Sequence, residues 1–391
     1  MRVIRALLAM IVILSLAAAA HLVNAVVRPL SGPDRVASQV RWLTGAIDRG
    51  APEEMQQLFP EGAFFTHVLT GLAAAKVGDR VTVEESLRAI DDPAIKAGFG
   101  TVPDLDGGTF YRGWRLLLLN ESARISGKGV DRVEAEARAI GAALAADPDG
   151  VPRSYPQGRW PCDAAVAMAA VIEAYGVIRE PLPVGLLDGW LAKTNQLRDP
   201  SSGLLPHRIG PDSGQAGREA PRGSSQAIIQ TFWPTIDPAG APREWQRYVD
   251  TFVVREAGLV GVKEHSDPAR NDGDEDSGPL LWGVSLSASA VTLAAARANG
   301  DLGLATTLDR EAEVFGLPLE WSGQRRFAFG VMPVGDAFVA WARTVPVRGA
   351  GASAVSPPTP LWPVWVGIPV VTLLASVAGL VATRRRPRGA Q

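Results

Sequence analysis

Between residues 29 and 346, helices of two kinds alternate, and this alternation constrains the fold more than any other feature of the chain. The spacing of apolar residues and the Gly, Pro and Asp punctuation predict helices over 34–49, 60–76, 83–92, 108–126, 129–146, 161–176, 183–197, 222–236, 242–256, 278–298, 301–315 and 333–344. Taken in order they form six pairs. The second members are apolar and rich in small residues, as in Ala164–Ala174 (AAVAMAAVIEA) and Ser285–Ala296 (SLSASAVTLAAA). The first members carry charge, as in Val130–Ala145 and Arg243–Glu256. A helix apolar on every side needs burial, whereas one with a charged face lies outside. Six inner helices within six outer ones meet both demands, so the expected fold is an all-α body of (α/α)6 toroid-like form. A helical solenoid would show the same alternation. Strand signals are confined to Leu259–Lys263 and Arg326–Phe329.

The two ends have a different composition. No Asp, Glu, Lys or Arg occurs from Ala6 to Val27, with Arg2 and Arg5 before the run and Arg28 after it. A positive start before an apolar core marks an export signal, and the run also reaches the roughly 20 residues a membrane span needs. Trp362 to Thr383 is again uncharged, opens with Trp362 and Trp365, and is followed by Arg384, Arg385, Arg386 and Arg388. Aromatic residues at one edge and arginines at the other predict a transmembrane helix with its tail in the cytoplasm. The expected organisation is a signal peptide or signal anchor at 1–28 and an extracytoplasmic body at 29–346. A Gly/Pro/Ser-rich tether at 347–361, a membrane helix at 362–383 and a basic cytoplasmic tail at 384–391 complete it. The lipid bilayer is thus an expected partner. A formal net charge of −2 offers no basic field for nucleic acid. The single cysteine, Cys162, rules out an intrachain disulfide and a cysteine-rich zinc site. No HExxH pair occurs, and the acidic stretch Asp267–Asp276 has Ser277 and Gly283 where an EF-hand needs Gly and Glu. Neither a metal nor a cofactor is expected.

The residues leading into the second helices are the candidates for chemistry, because parallel inner helices would open their N-terminal ends on one rim. Asp163, Asp276 and Asp336 would then face one cleft. Two carboxylates across a cleft are the minimum for general acid and base work. Asp276 and Asp336 are the expected pair, with Asp163 or Cys162 assisting; a thiol at a helix N-terminus ionises more readily. Arg112, Arg159 and Arg222 would hold an anionic or polar part of a substrate, with Ser224 and Gln226 beside them. Tyr111, Trp114, Trp160 and Trp282 would stack on a sugar ring or line an apolar chain. Capping explains several of these residues equally well, since Ser224, Asp276, Ser277 and Asp336 are of the types that close helix N-termini. The sequence therefore supports two functions: an acid–base enzyme of lyase or hydrolase type on a glycan or lipid-linked envelope component, or a non-catalytic membrane-tethered binding or scaffold module.

Trp160-Pro161-Cys162-Asp163 resembles the Pro-Cys-acid motif of the linalool dehydratase/isomerase-like family, whose members are helical toroids. That family uses a second cysteine in its cleft, which this chain lacks. A second resemblance runs from Pro221-Arg222-Gly223-Ser224-Ser225 through Asp276-Ser277-Gly278-Pro279 to Phe329-Gly330 and Gly335-Asp336-Ala337-Phe338, within residues 150–345. It is to a group of bacterial membrane-anchored helical-toroid proteins that carries no assigned activity. Together the resemblances imply a toroid fold and direct attention to Cys162 and Asp163.

Overall fold

The computed structural model describes residues 2–27, 33–210, 217–256, 258–274, 277–348 and 362–385. The described residues are mostly helical. The outer members of the six pairs are α2 (Pro33–Ile47), α5 (Arg80–Ile90), α8 (Val130–Ala146), α10 (Leu186–Asn195), α12 (Ala241–Phe252) and α14 (Leu302–Phe315). Their inner partners are α4 (Gly62–Lys76), α7 (Gly108–Ser126), α9 (Pro161–Ile178), α11 (Gly223–Ile236), α13 (Leu286–Ala298) and α15 (Pro333–Thr344). Two short helices, α3 (Ala51–Gln56) and α6 (Pro93–Ala97), occupy connections that the sequence pattern left unassigned.

Local chemistry sets the boundaries. The Asp79, Ser285 and Asp301 side chains accept hydrogen bonds from the N–H groups of Thr82, Ala288 and Leu304, which starts α5, α13 and α14. Pro161 and Pro333 stand in the first turns of α9 and α15, where a missing N–H costs nothing.

α4 packs on α7, α7 on α9, α9 on α11, α11 on α13, α13 on α15, and α15 returns to α4. α5 lies against both α4 and α7, and α8 against α7 and α9. Gly113 of α7 meets Ala167 of α9, and Asn120 donates to Ala170 O at 2.9 Å, so these two helices run parallel. The C-terminal ends of α11, α13 and α15 also gather: Arg297 donates to Val345 O at 2.9 Å and Arg348 to Thr235. The N-terminal ends of these three helices therefore share the opposite end of the body. Among the inner helices sits Trp114, fully buried, with Phe65, Phe232 and Trp341 edge-on at 5.5, 5.7 and 5.4 Å. It joins α4, α7, α11 and α15 through one aromatic cluster.

Strands replace helix at two places. The helix expected over 242–256 ends at Phe252, and Val253–Glu256 becomes β1, paired antiparallel with β2 (Leu259–Lys263). The helix expected over 278–298 begins only at Leu286, because β3 (Leu280–Leu281) and β4 (Val284–Ser285) form a hairpin that extends the sheet in the order β1-β2-β4-β3. Val-Val at 253–254 favours strand, and Gly283 suits the positive φ of the two-residue β3–β4 turn, although Trp282 also adopts positive φ there. A second hairpin, β5 (Leu319–Trp321) with β6 (Gln324–Arg326), precedes a 3-10 turn at Ala328–Gly330, so the extended piece expected at Arg326–Phe329 lies slightly earlier in the chain.

α1 (Arg2–Val27) is long and apolar enough over Val3–Ala25 to cross a membrane, and could serve as a signal or an anchor. α9 meets the same criterion but is largely buried in the core, as its place among the inner helices requires. α16 (Trp362–Arg385) contains the apolar stretch Gly367–Ala382 and packs along α1, with Leu8 against Gly379.

Candidate functional site

The polar residues that converge most closely lie where β2 meets the start of α11. Gly223 N donates to Glu264 O at 2.9 Å. A Cβ at residue 223 would fall 2.0 Å from Lys263 O, so only glycine permits this approach. Directly after it, Ser224 donates from its N–H (3.1 Å) and its hydroxyl (2.7 Å) to the Glu264 carboxyl. Glu264 is fully buried, and that burial pushes its carboxyl up to about 7 in spite of the Ser224 hydrogen bonds.

The next residue, Ser225, shares a hydrogen bond between its hydroxyl and Nδ1 of His207. Burial, reinforced by the field of Arg222, pushes the His207 imidazole down to about 3, so it is neutral at ordinary pH. Arg222 itself pairs with Asp274 and, at 3.3 Å, with Glu219. Burial would raise the Asp274 carboxyl, but the Ser277 N–H at 3.0 Å and Arg222 outweigh it and hold it below its ordinary value. His265, buried beside Arg222, shares a hydrogen bond between Nε2 and Asp272 O at 2.9 Å. An open cleft of about 490 Å³ adjoins this cluster, lined by Asn271, Gly273, Asp274, Gly278, Pro279 and Leu280.

The segment 204–209 connects this cluster to the start of α9. Gln226 donates to Leu205 O at 2.7 Å, and Ile209 N donates to Arg159 O at 3.0 Å. The Arg208 guanidinium lies 5.0 Å from the Trp160 ring centre. Next to Trp160, Cys162 and Asp163 are buried in the first turn of α9, with the thiol donating to the Asp163 carboxyl at 3.7 Å. The structure thus gathers Trp160, Arg222, Ser224 and Gln226, with Cys162 and Asp163 on the neighbouring helix. The buried Gln226 Oε1 has no partner among the described residues.

The remaining expected site residues lie elsewhere. Asp276 falls outside the described residues. Asp336 is 2% exposed, and its carboxyl accepts from Phe327 N (3.0 and 3.2 Å) and Gln39 Nε2 (3.2 Å). It ties the turn before α15 to α2. Tyr111 is buried against Phe64 and Phe99, its hydroxyl donating to Ile90 O and to Asp91, each at 3.2 Å. Trp114 fills the centre of the inner helices. Arg112 makes a two-pronged pair with Glu136, and Arg159 binds Asp147 and Asp149, both at 2.8 Å. Tyr111, Arg112, Trp114, Arg159 and Asp336 have their polar atoms or rings engaged in holding elements together, where a substrate-binding or catalytic role was expected.

The sequence reading assigned no site role to His207, Ser225, Glu264, His265 or Asp274. These residues are far apart in the chain and match no spaced motif. One signal was available: Glu264-His265 is a pair of titratable residues directly after the strand Leu259–Lys263. The chain matches no protein-family model and no curated protein.

Proposed function

We propose that the chain is a membrane-anchored, extracytoplasmic (α/α)6 toroid acting as an acid–base enzyme of hydrolase or lyase type, on a glycan or lipid-linked component of the cell envelope. The closed succession of inner-helix contacts supports the toroid. The apolar α1 and α16, packed on each other, together with the arginines at 384–388, support anchoring with the body outside and the tail in the cytoplasm. The observation that carries the chemistry is that two consecutive serines hold groups of opposite character. Ser224 binds a buried carboxyl that keeps its proton near neutral pH; Ser225 binds an imidazole that stays neutral. Titratable neighbours driven apart in this way divide acid and base roles between them.

In this reading the buried Glu264 gives its proton, through the partly exposed Ser224 hydroxyl 2.7 Å away, to the leaving oxygen of the substrate. His207, in the tautomer whose Nδ1 accepts, takes a proton through the Ser225 hydroxyl, either from the water that attacks the carbon as its C–O bond breaks (hydrolase) or from the adjacent carbon as the double bond forms (lyase). Asp274, at the cleft, and its partner Arg222 orient polar groups of the substrate. Of the expected acid–base pair, Asp276 remains a candidate in the same loop, and Glu264 takes the place of Asp336.

The test is thermal melting of the full chain in detergent, titrated with a polyprenyl-phosphate sugar or a soluble envelope glycan. A ligand that binds only the folded state raises the melting temperature by mass action. A rise with either probe that disappears in Glu264→Gln and Arg222→Ala supports the site. No rise with either probe overturns it in favour of the scaffold reading.

A further inference from the structure

The end of the body that carries this site is also where its apolar side chains are exposed. Of the fourteen large hydrophobic residues exposed between residues 33 and 348, ten lie in two short stretches, 281–286 and 315–332, counted among the described residues. These stretches lead into the N-terminal ends of α13 and α15. Trp282, 93% exposed, sits in the two-residue turn of the β3–β4 hairpin, and Trp321, 83% exposed, stands at the turn of β5–β6. Phe329, Val331 and Met332 follow on the approach to α15.

The backbone in these stretches is unusual. Six non-glycine residues have positive φ among the described residues, and five of them are Trp282, Leu317, Ser322, Ala328 and Phe329. This conformation is costly for a bulky side chain such as Trp, and it persists only where surrounding structure enforces it. The chain accepts that cost at positions where it points aromatic residues into solvent, an arrangement that core packing does not explain.

The N-terminal helix shows what covers them. His21 Nε2 shares a hydrogen bond with Val314 O at 2.8 Å, in the last turn of α14 and one residue before the exposed Phe315. The short link 299–301 reverses the chain between α13 and α14, so α14 ends where α13 begins. α1 therefore meets the body at the end that bears the exposed aromatics. N-terminal to His21, Val3, Ile4, Leu7, Met10, Ile13 and Leu14 all face outward. Any bilayer that holds α1 lies next to this end of the body. Tryptophan at the edge of a membrane is also the residue that interfacial chemistry favours, with an apolar ring and one N–H donor.

We propose that this end of the body rests on the lipid bilayer, with Trp282, Trp321 and Phe329 entering its headgroup region. The cleft beside Asp274 is lined by Pro279, just before the Trp282 hairpin, and by Leu280, its first residue, so it opens at the lipid surface. The substrate class that follows is a polar group carried on a membrane-embedded chain, delivered from the bilayer and not from bulk water. The inference rests on the reading of α1 and α16 as membrane spans and does not depend on the chemistry of Glu264.

The test uses the full chain in lipid nanodiscs containing lipids with a nitroxide quencher near the headgroup. Cysteine is introduced singly as Trp282→Cys, Trp321→Cys or Val184→Cys and labelled with a small fluorophore; the native Cys162 is buried and stays unlabelled. Val184 precedes an outer helix, at the opposite end of the body, and is fully exposed. The expected result is loss of most of the fluorescence at 282 and 321 and no loss at 184. Equal quenching at all three positions, quenching at 184 alone, or none anywhere would overturn the proposal. Circular dichroism of each variant confirms that it is folded before its quenching is read. Because the readout is position and not turnover, a correctly oriented but inactive protein would sink the catalytic reading alone.

Discussion

Two buried carboxyl groups, Glu264 and Asp336, look alike in isolation. Both are pushed up to about 7 by burial, and both accept from one backbone N–H and one side-chain donor. Their neighbourhoods differ. Asp336 sits beside a packed charge cluster in which Arg343 holds Asp309 (2.6 Å) and Glu313, Arg325 holds Glu313, and all four are buried. Glu264 is bonded to Ser224, the residue before the Ser225 that holds the neutral His207, and lies in the field of Arg222, whose partner Asp274 lines a cleft. A raised carboxyl pKa records burial; chemistry also needs a complementary group and access for a substrate. The Asp336 region holds α2, α14 and α15 together, whereas the Glu264 region is the one to which the proposed chemistry is assigned.

The largest expected effect separates them by turnover. Glu264→Gln keeps the shape and the Ser224 contacts but cannot give up a proton, so turnover of a substrate found in the melting assay should fall about 10²- to 10⁴-fold. Asp336→Asn should leave turnover within a small factor of the parent. The reverse pattern would exchange the roles of the two regions.

Stability provides the next contrast. Arg343→Met leaves Asp309 and Glu313 buried with less compensation, and breaking such a cluster costs about 3–5 kcal/mol. Chemical denaturation of the full chain in detergent measures it. Arg222→Met removes a pair whose Asp274 partner is half-buried and near solvent, where the loss is about 1 kcal/mol or less. Equal losses would show that both regions are structural.

A smaller effect is visible in pH dependence. The Asp336 carboxyl ordinarily titrates at 3.8 and is raised to about 7 in the folded chain. Its contribution to stability is therefore fully present below about 3.8 and is lost as pH rises through about 7. Asp336→Asn should flatten the fall in melting temperature across that window. His207, ordinarily at 6.5 and lowered to about 3, acts in the opposite sense: its contribution is present above 6.5 and is lost as pH falls. A difference between parent and Asp336→Asn that stays constant from pH 4 to 8 would mean that Asp336 remains ionised in the folded state.

Most of the body was legible because its helices obey one rule, small apolar inside and charged outside. All twelve predicted helices overlap observed ones, and the pairing follows their order. The rule fails where residues 253–256 and 278–285 turn to strand, since a β-branched pair and a two-residue turn act locally and periodicity cannot register them. The candidate site was only half legible. Trp160, Arg222, Ser224 and Gln226 were found because they lead into inner helices. Glu264 and His207 were not, because a strand and an irregular segment bring them to that point and neither has helical spacing. Tyr111, Arg112 and Trp114 also lead into an inner helix, and there the same positional rule selected residues that pack.

Ser285 offers the finest test of how the site depends on its scaffold. Its hydroxyl donates to Ser277 O at 2.8 Å and accepts from Ala288 N at 3.0 Å, so one buried side chain caps α13 and holds the loop whose Ser277 N–H fixes Asp274. Loss of a helix cap costs about 1 kcal/mol, and Ser285→Ala should lower stability by that amount. If Ser285 acts only as a cap, Asp301→Ala, which removes the equivalent bond at α14 and also one from Trp245 Nε1 at 3.3 Å, should cost at least as much and have the same turnover. The geometry predicts otherwise. Ser285→Ala also frees the Ser277–Asp274 loop and so should weaken binding of the polyprenyl-linked probe, while Asp301→Ala should not. Matching affinities in the two variants would confine Ser285 to capping and detach the Asp274 loop from the site.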